Sequence, residues 1–163
     1  DDELIDLLKR AGLKMVYIGI ESSDANILKD IKRYTINNDE QYKIIKKLKK
    51  NGIYVKSMFM FGNPDDSEET IKKTIKYSKF LPNQLVQFSV FTPYPGTPVY
   101  NEYKDKIIVH ELEKYNQYNL VYKHKLLNND KIIKLKNFGY RKFYSDIRNL
   151  FVIFLSFASF FRK

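Results

Sequence analysis

Three short segments of this 163-residue chain gather residues able to do chemistry, and each follows directly on an apolar run. They read Gly19-Ile20-Glu21-Ser22-Ser23, Phe61-Gly62-Asn63-Pro64-Asp65-Asp66 and Phe91-Thr92-Pro93-Tyr94-Pro95-Gly96-Thr97-Pro98. A carboxylate placed like Glu21, at the end of a buried run, costs free energy unless it receives hydrogen bonds. A polar ligand or a helix amino terminus is therefore expected beside it. A capping or salt-bridging role for Glu21 suits the residues as well. Gly62 and Pro64 fit a sharp exit from an extended segment, and the proline-rich third segment fits a rigid surface loop. The chain has no cysteine, which removes disulfides, thiolate-bound zinc, a cysteine nucleophile and any iron–sulfur cluster ligated from within this segment. His110 and His124 are its two imidazoles, so a self-contained transition-metal site would lean on carboxylates and is not expected. A phosphate-binding α/β enzyme is disfavoured because there is no glycine-rich Walker or dinucleotide loop.

The three segments need elements that bring them together. Met15 to Ile20, Ile53 to Phe61 and Leu85 to Phe91 are rich in β-branched and aromatic residues and read as buried strands. Helical patterns separate them. Asp2 to Arg10 carries Leu4, Leu7 and Leu8 as an apolar stripe, with Gly12 after it. Asp39 to Lys50 has Tyr42, Ile45 and Leu48 on one face, Asn38 as its cap and Gly52 as its stop. A further helix starts at Ser67, with Glu68 and Glu69 in its first turn and Ile71, Ile75 and Tyr77 or Ser78 turned inward, and it stops before Pro82. Strand, helix, strand, helix, strand implies right-handed crossovers and a parallel sheet, so the class is α/β. In such an array the loops at the carboxyl ends of the strands share one side, and ligands gather there.

Composition agrees with one folded unit: 44% hydrophobic, 15% aromatic and 29% charged residues exclude a disordered chain. Net charge is +10, of which +3 falls in residues 1–100 and +7 in 101–163. A basic tail can meet nucleic acid, an anionic membrane or an acidic protein, or can be a solvated, lysine-rich surface. The chain begins at Asp1 with neither an initiator methionine nor a charged-then-apolar leader, and is expected to be a piece of a cytoplasmic protein.

Taken in order and at their spacing, these segments resemble the radical S-adenosylmethionine superfamily, most closely its cobalamin-domain branch. The resemblance is carried by Gly19-Ile20-Glu21-Ser22, by Ile27-Leu28-Lys29-Asp30-Ile31-Lys32-Arg33-Tyr34-Thr35 and by Leu48-Lys49-Lys50-Asn51-Gly52-Ile53. It continues through Phe61-Gly62-Asn63-Pro64-Asp65-Asp66-Ser67-Glu68-Glu69-Thr70 and Pro93-Tyr94-Pro95-Gly96-Thr97-Pro98-Val99-Tyr100. It covers residues 1–104 closely. Tyr140-Arg141-Lys142-Phe143-Tyr144 looks like the aromatic and basic motif that closes many members.

The resemblance implies an incomplete β/α barrel, its fourth to sixth strands, followed by carboxyl-terminal helices. Residues 1–104 would be the later half of the core and 105–163 a helical extension. It implies S-adenosylmethionine as cofactor and a 4Fe-4S cluster ligated outside this segment. Cobalamin, where used, would bind before residue 1. Family members cleave the cofactor reductively to a 5′-deoxyadenosyl radical or support methyl transfer. Carried over by motif, Glu21 and Ser22 would lie near the ribose or amino group, Phe61, Gly62 and Asn63 would line the adenine side, and Pro93 and Tyr94 would form the next wall. Lys32 and Arg33 could meet the cofactor carboxylate, or be solvated charges at a helix end. Ser23 and Asp65-Asp66 stand where the family often has glycine and Gly-Glu, which tightens the first turn. Without an upstream, cluster-bearing part of the same protein, the fragment is expected to be inactive.

Leu150 to Phe161 is apolar apart from two serines and is flanked by Arg148 and Arg162-Lys163. As a helix it would be about 18 Å long, too short to span a bilayer. Packing on the open side of the barrel and lying on a membrane surface both suit it, and the second would go with a lipid substrate and a peripheral location. A small-molecule substrate is the other class; nucleic acid fits less well. The alternative function is a non-catalytic α/β binding module with a basic tail facing membrane or RNA.

Overall fold

A computed structural model describes residues 2–33 and 37–146. Its elements run α1 (Asp2–Arg10), β1 (Met15–Glu21), α2 (Ala25–Asp30), α3 (Asn38–Lys50), β2 (Tyr54–Phe61), α4 (Glu68–Phe80), β3 (Leu85–Val90), α5 (Pro98–Tyr103) and α6 (Asn129–Tyr144). The strands form one parallel sheet in the order β1-β2-β3, with Gly19 opposite Met58 and Met58 opposite Gln87. The fold is thus the expected α/β arrangement of three parallel strands with helices between them.

The strands alternate in burial instead of being buried throughout. Val55, Phe59 and Phe61 of β2 and Val86, Phe88 and Val90 of β3 are buried. Their neighbours Lys56, Met58, Met60, Gln87 and Ser89 are half-buried, and Tyr17 of β1 is 63% exposed. The cause is that the described helices lie on one face only. Ile71 and Ile75 of α4 and Ile132 and Leu135 of α6 join the buried phenylalanines in one core. Each buried phenylalanine contributes roughly 1.5–3 kcal/mol of transfer free energy.

The helix boundaries hold with small changes. Ser67 caps α4 in a reciprocal box with Thr70, as its position before two glutamates suggests. The cap of α3 is Asn37, not Asn38, because its side chain accepts from the Glu40 N–H. In α1 the expected leucine stripe is turned out: Leu4 and Leu7 are exposed and Ile5 makes the core contact. Two short helices, α2 and α5, carry their own caps, Asp24 and Thr97. Between α5 and α6 the chain is largely irregular, with two 3-10 turns at Lys104–Lys106 and Leu112–Lys114. The apolar Leu150 to Phe161 segment and Arg148 lie outside the described residues. Among the described residues no helix is long and apolar enough to cross a membrane.

Among the described residues the outer edge of β3 has no neighbouring strand, yet its backbone is partnered. Tyr140 Oη accepts from the Phe88 N–H at 3.0 Å and donates to the Phe88 carbonyl at 3.3 Å. Tyr144 Oη, one turn later on α6, does the same for Val86 at 3.3 Å and 3.3 Å. The Val90 N–H donates to the Gln117 carbonyl at 2.8 Å. Replacing Tyr140 or Tyr144 by Phe strips an edge peptide of both partners while keeping the ring. Each change is expected to lower stability by about 1 kcal/mol, read as the urea midpoint, and to speed amide exchange at Phe88 or Val86 selectively. Unchanged exchange at those two amides would contradict the edge-closing role.

Candidate functional site

The carboxyl ends of β1, β2 and β3 put all three chemistry-bearing segments along one edge of the sheet. Each is then tied to a different part of the molecule. At the end of β1 the pairing slips between Gly19 and Glu21, a bulge that leaves Ile20 unpaired. The Ser22 N–H turns back to the Ile20 carbonyl at 2.9 Å, and Glu21, at the centre of this three-residue turn, has a φ of 65°. That conformation is sparsely populated by residues with a Cβ. The turn folds the Glu21 carboxylate back over Gly19, where a Cβ would come within 2.6 Å of Oε1. A Cβ at this position would push the carboxylate aside.

The Glu21 side chain is 12% exposed and its Oε1 accepts from Arg33 Nη2 at 3.0 Å. Burial raises its carboxyl above the usual range, and the Arg33 charge and hydrogen bond pull it back without cancelling the rise. Arg33 therefore meets Glu21, while Lys32 is an exposed residue of positive φ. Ser22 is different from its neighbour. It is 2% exposed, its hydroxyl lies 3.3 Å from Thr74 Oγ1 and it accepts from the Asp24 N–H at 3.2 Å. Ser23 bonds the same Thr74 through both its N–H and its hydroxyl. The two serines thus anchor the loop to α4, and Glu21 is the polar group left on the open sheet face.

The second segment is buried under the chain that leads to α6. Asn63 Nδ2 donates to the Met60 carbonyl at 2.8 Å and to Asp66 Oδ2 at 3.1 Å, and its N–H donates to the same oxygen at 2.9 Å. Thr70 Oγ1 donates to Asp66 Oδ1 at 2.7 Å, so three protein donors hold that carboxylate. Gly62 has a φ of 75°, and a Cβ there would lie 2.7 Å from Ile132 Cδ1. Its carbonyl accepts from Tyr122 Oη at 2.7 Å. His124 accepts at Nδ1 from the Leu126 and Leu127 N–H groups, which fixes the tautomer in which Nε2–H donates to the Asn63 carbonyl at 2.8 Å. The backbone approach that a glycine permits is made at Gly62 by Ile132 and Tyr122 of the same chain, and Phe61 is wholly buried.

The third segment closes on itself. Pro93 is buried and Tyr94 is on the surface. Thr97 Oγ1 donates to the Tyr94 carbonyl at 2.7 Å and accepts from the Tyr100 N–H at 3.2 Å. The Phe91 ring packs edge-on against Tyr103 and Tyr122 at 5.8 and 5.7 Å. Thr74, Tyr122 and His124 hold the site's loops, and sequence reasoning assigned none of them. They lie 51 to 61 residues from their partners, in stretches with no motif of their own. Among the described residues no group of three His, Cys, Asp or Glu could hold a metal ion.

Arg33→Gln removes both influences that lower the Glu21 carboxyl and leaves burial, so the titration midpoint of Glu21 should move up, read by side-chain 13C NMR. An unchanged or lower midpoint would count against the pair. The linked stability effect has a definite sign. A carboxyl raised above its unfolded value of about 4.5 keeps its proton longer in the folded state. Stability therefore falls as pH rises from the unfolded value through the folded one, and the fall is larger in the variant.

The Radical SAM superfamily model matches residues 1–78. Bacteriochlorophyllide d C-12(1)-methyltransferase of Chlorobaculum tepidum is 31% identical over 132 residues, covering 81% of this chain and 29% of the relative. The anaerobic magnesium-protoporphyrin IX monomethyl ester cyclase of Rubrivivax gelatinosus is 26% identical over 90% of this chain and 26% of its own length. The chain thus spans less than a third of these relatives. Among solved structures, the Elp3 of Methanocaldococcus infernus aligns with 87% of this chain and 39% of its own, at a TM-score of 0.57 and 19% identity, a likeness of fold. With the parallel strands and their order of motifs, these matches establish that the chain belongs to the radical SAM superfamily.

Proposed function

We propose that this chain is the later part of the core of a radical SAM enzyme, the part whose strand ends orient S-adenosylmethionine, and that Glu21 is its main polar contact to the cofactor. One observation carries this reading. Glu21 is held at a strained φ with its carboxylate over Gly19, and its second oxygen has no protein donor among the described residues. A half-buried carboxylate oxygen without a donor suits a ribose hydroxyl or an ammonium group. The half-exposed Arg33 beside it suits a carboxylate. The cluster is a different matter. With no cysteine in the sequence, nothing in this chain fits a 4Fe-4S cluster, so its ligands belong elsewhere in the protein. Bound together, cofactor and cluster supply radical chemistry; the residues here bind and orient.

The free edge of β1 supports an upstream part of the same protein as the partner. β1 is the end strand of the sheet, so one side of its backbone is open to pairing by a further strand. The relatives named above act on tetrapyrroles and include a methyltransferase and a cyclase. A small-molecule substrate, with methyl transfer or radical abstraction as its outcome, is therefore the reaction class we propose, with cobalamin as an added cofactor in the first case.

The test is anaerobic expression of the upstream-extended protein, cluster reconstitution and assay of 5′-deoxyadenosine. Release is expected, and its absence with a cluster present would overturn the reading. Glu21→Gln should raise the KM for S-adenosylmethionine about tenfold or more, the cost of a hydrogen bond to a charged group. Calorimetry on the 163-residue chain alone should show little affinity for the cofactor, since the cluster end of the site is lacking. Micromolar binding there would contradict the assignment of that end to another segment.

A further inference from the structure

The same open sheet face carries a second feature, away from Glu21. A cavity of about 250 Å³ lies where β2 and β3 meet the chain before α6, lined by Lys56, Gln87, Ser89, Gln117, Tyr118 and Tyr140 with parts of Val86 and Phe88. Among the described residues no acidic residue lines it. Lys56 Nζ stands 4.9 Å from the centre of the Tyr17 ring. Lys136, on α6 and only 7% exposed, holds its Nζ 4.8 Å from the centre of the Tyr118 ring, a wall of the cavity. Among the described residues neither Lys56 nor Lys136 has a carboxylate at ion-pair distance. An aromatic face offsets part of the cost of burying an ammonium group and leaves its full charge uncompensated. Burial accordingly pushes the Lys136 amine below its usual value.

The hydrogen-bonding groups of the lining divide in two. Ser89 and Tyr140 are committed, the first to the Phe59 carbonyl and the second to the β3 edge. The side-chain amides of Gln87 and Gln117 and the Tyr118 hydroxyl make no hydrogen bond among the described residues. Among the described residues one lining cation, three uncommitted polar groups and no acid form a site for an oxyanion, and Lys136, outside the lining, adds positive charge at the Tyr118 ring. Its volume suits a carboxylate or phosphate group and a few attached atoms.

Register places this cavity with respect to the cofactor end. Gln87 is two strands across from Gly19, over which the Glu21 carboxylate lies, a separation of about 10 Å at the ordinary strand spacing. We infer that the cavity anchors an oxyanion group, carboxylate or phosphate, carried by the enzyme's small-molecule substrate. The word substrate rests on the radical SAM reading; the oxyanion site itself does not.

The 15N-labelled 163-residue chain would be titrated with sodium acetate and, separately, with inorganic phosphate. Saturable shifts of the Gln87 and Gln117 side-chain amides and of the Tyr118 N–H are expected at millimolar concentration. Lys56→Gln should weaken them about tenfold, and Lys56→Arg should keep them. Lys136→Met preserves the apolar stem and should also weaken them, with its thermal midpoint reporting that the fold is retained. The tighter of the two anions identifies the group as carboxylate or phosphate. No saturable shift by about 50 mM of either anion, or equal affinity in Lys56→Gln, overturns the site. Neither cofactor nor cluster enters this titration, so its failure and a failure of 5′-deoxyadenosine release are separate results.

Discussion

The outer edge of β3 is the constraint on which the rest of the molecule turns. An edge strand of a parallel sheet exposes a row of amides and carbonyls, and a sheet of three strands has two such edges. Here one is closed by side chains. Tyr140 and Tyr144 are four residues apart, so both hydroxyls leave the same face of α6 and meet alternate residues of β3, Phe88 and Val86. That match between helix and strand repeats fixes the rotation and height of α6. With α6 set, Ile132 at its start is driven against Gly62, and Tyr122 and His124, just before it, reach the Gly62 and Asn63 carbonyls. The closing of an edge thus becomes the burial of a strand-end loop about 15 Å away along the sheet, at the ordinary rise per residue.

Two buried carboxylates near these strand ends show how the same penalty serves opposite purposes. Burial raises both Asp66 and Glu21. Asp66 receives three donors from within four residues of itself, and its two oxygens are occupied by the loop it shapes. It is a structural group, and its cost is offset locally. Among the described residues Glu21 has one partner, a guanidinium that is itself 58% exposed, and such a pair is weakened by solvent. Its backbone is strained and its second oxygen has no donor among the same residues. This difference between the two carboxylates is the basis for the cofactor contact proposed at Glu21.

Much of this was legible in the residues. Apolar runs located the strands to within a residue or so, glutamates after Ser67 marked a helix start, and the order of loops carried the family. What escaped has physical causes. Asn37 and Asn38 are equally good caps by type, and only backbone geometry distinguishes them. Leu4 and Leu7 form a helical stripe whether or not anything covers it. A strand such as Tyr54–Phe61, apolar at nearly every position, reads as buried on both faces, although helices cover only one. At the site, the salt-bridging alternative for Glu21 is the one realised, through Arg33. Ser22 and Gly62 meet Thr74 and Ile132, which come from distant stretches that no local pattern announces.

The two features of the sheet left unsatisfied by the described residues point the same way. β1 offers an open backbone edge, and the face opposite the helices offers Tyr17, Met58, Met60, Gln87 and Lys56, a mixture too apolar for ordinary solvent exposure and too polar for a dry core. Parallel sheets are usually covered on both faces. A flat layer of helices would cover the face and leave the edge; one extra strand would pair the edge and leave the face. Strands that continue beyond β1 and curl toward β3 do both, because a closing barrel turns its free face into an interior. In that geometry the polar members of the face, Glu21 and Lys56, become interior groups at different depths. A partly polar interior is a cost to stability that ligand binding can offset, which agrees with the cofactor contact proposed for Glu21.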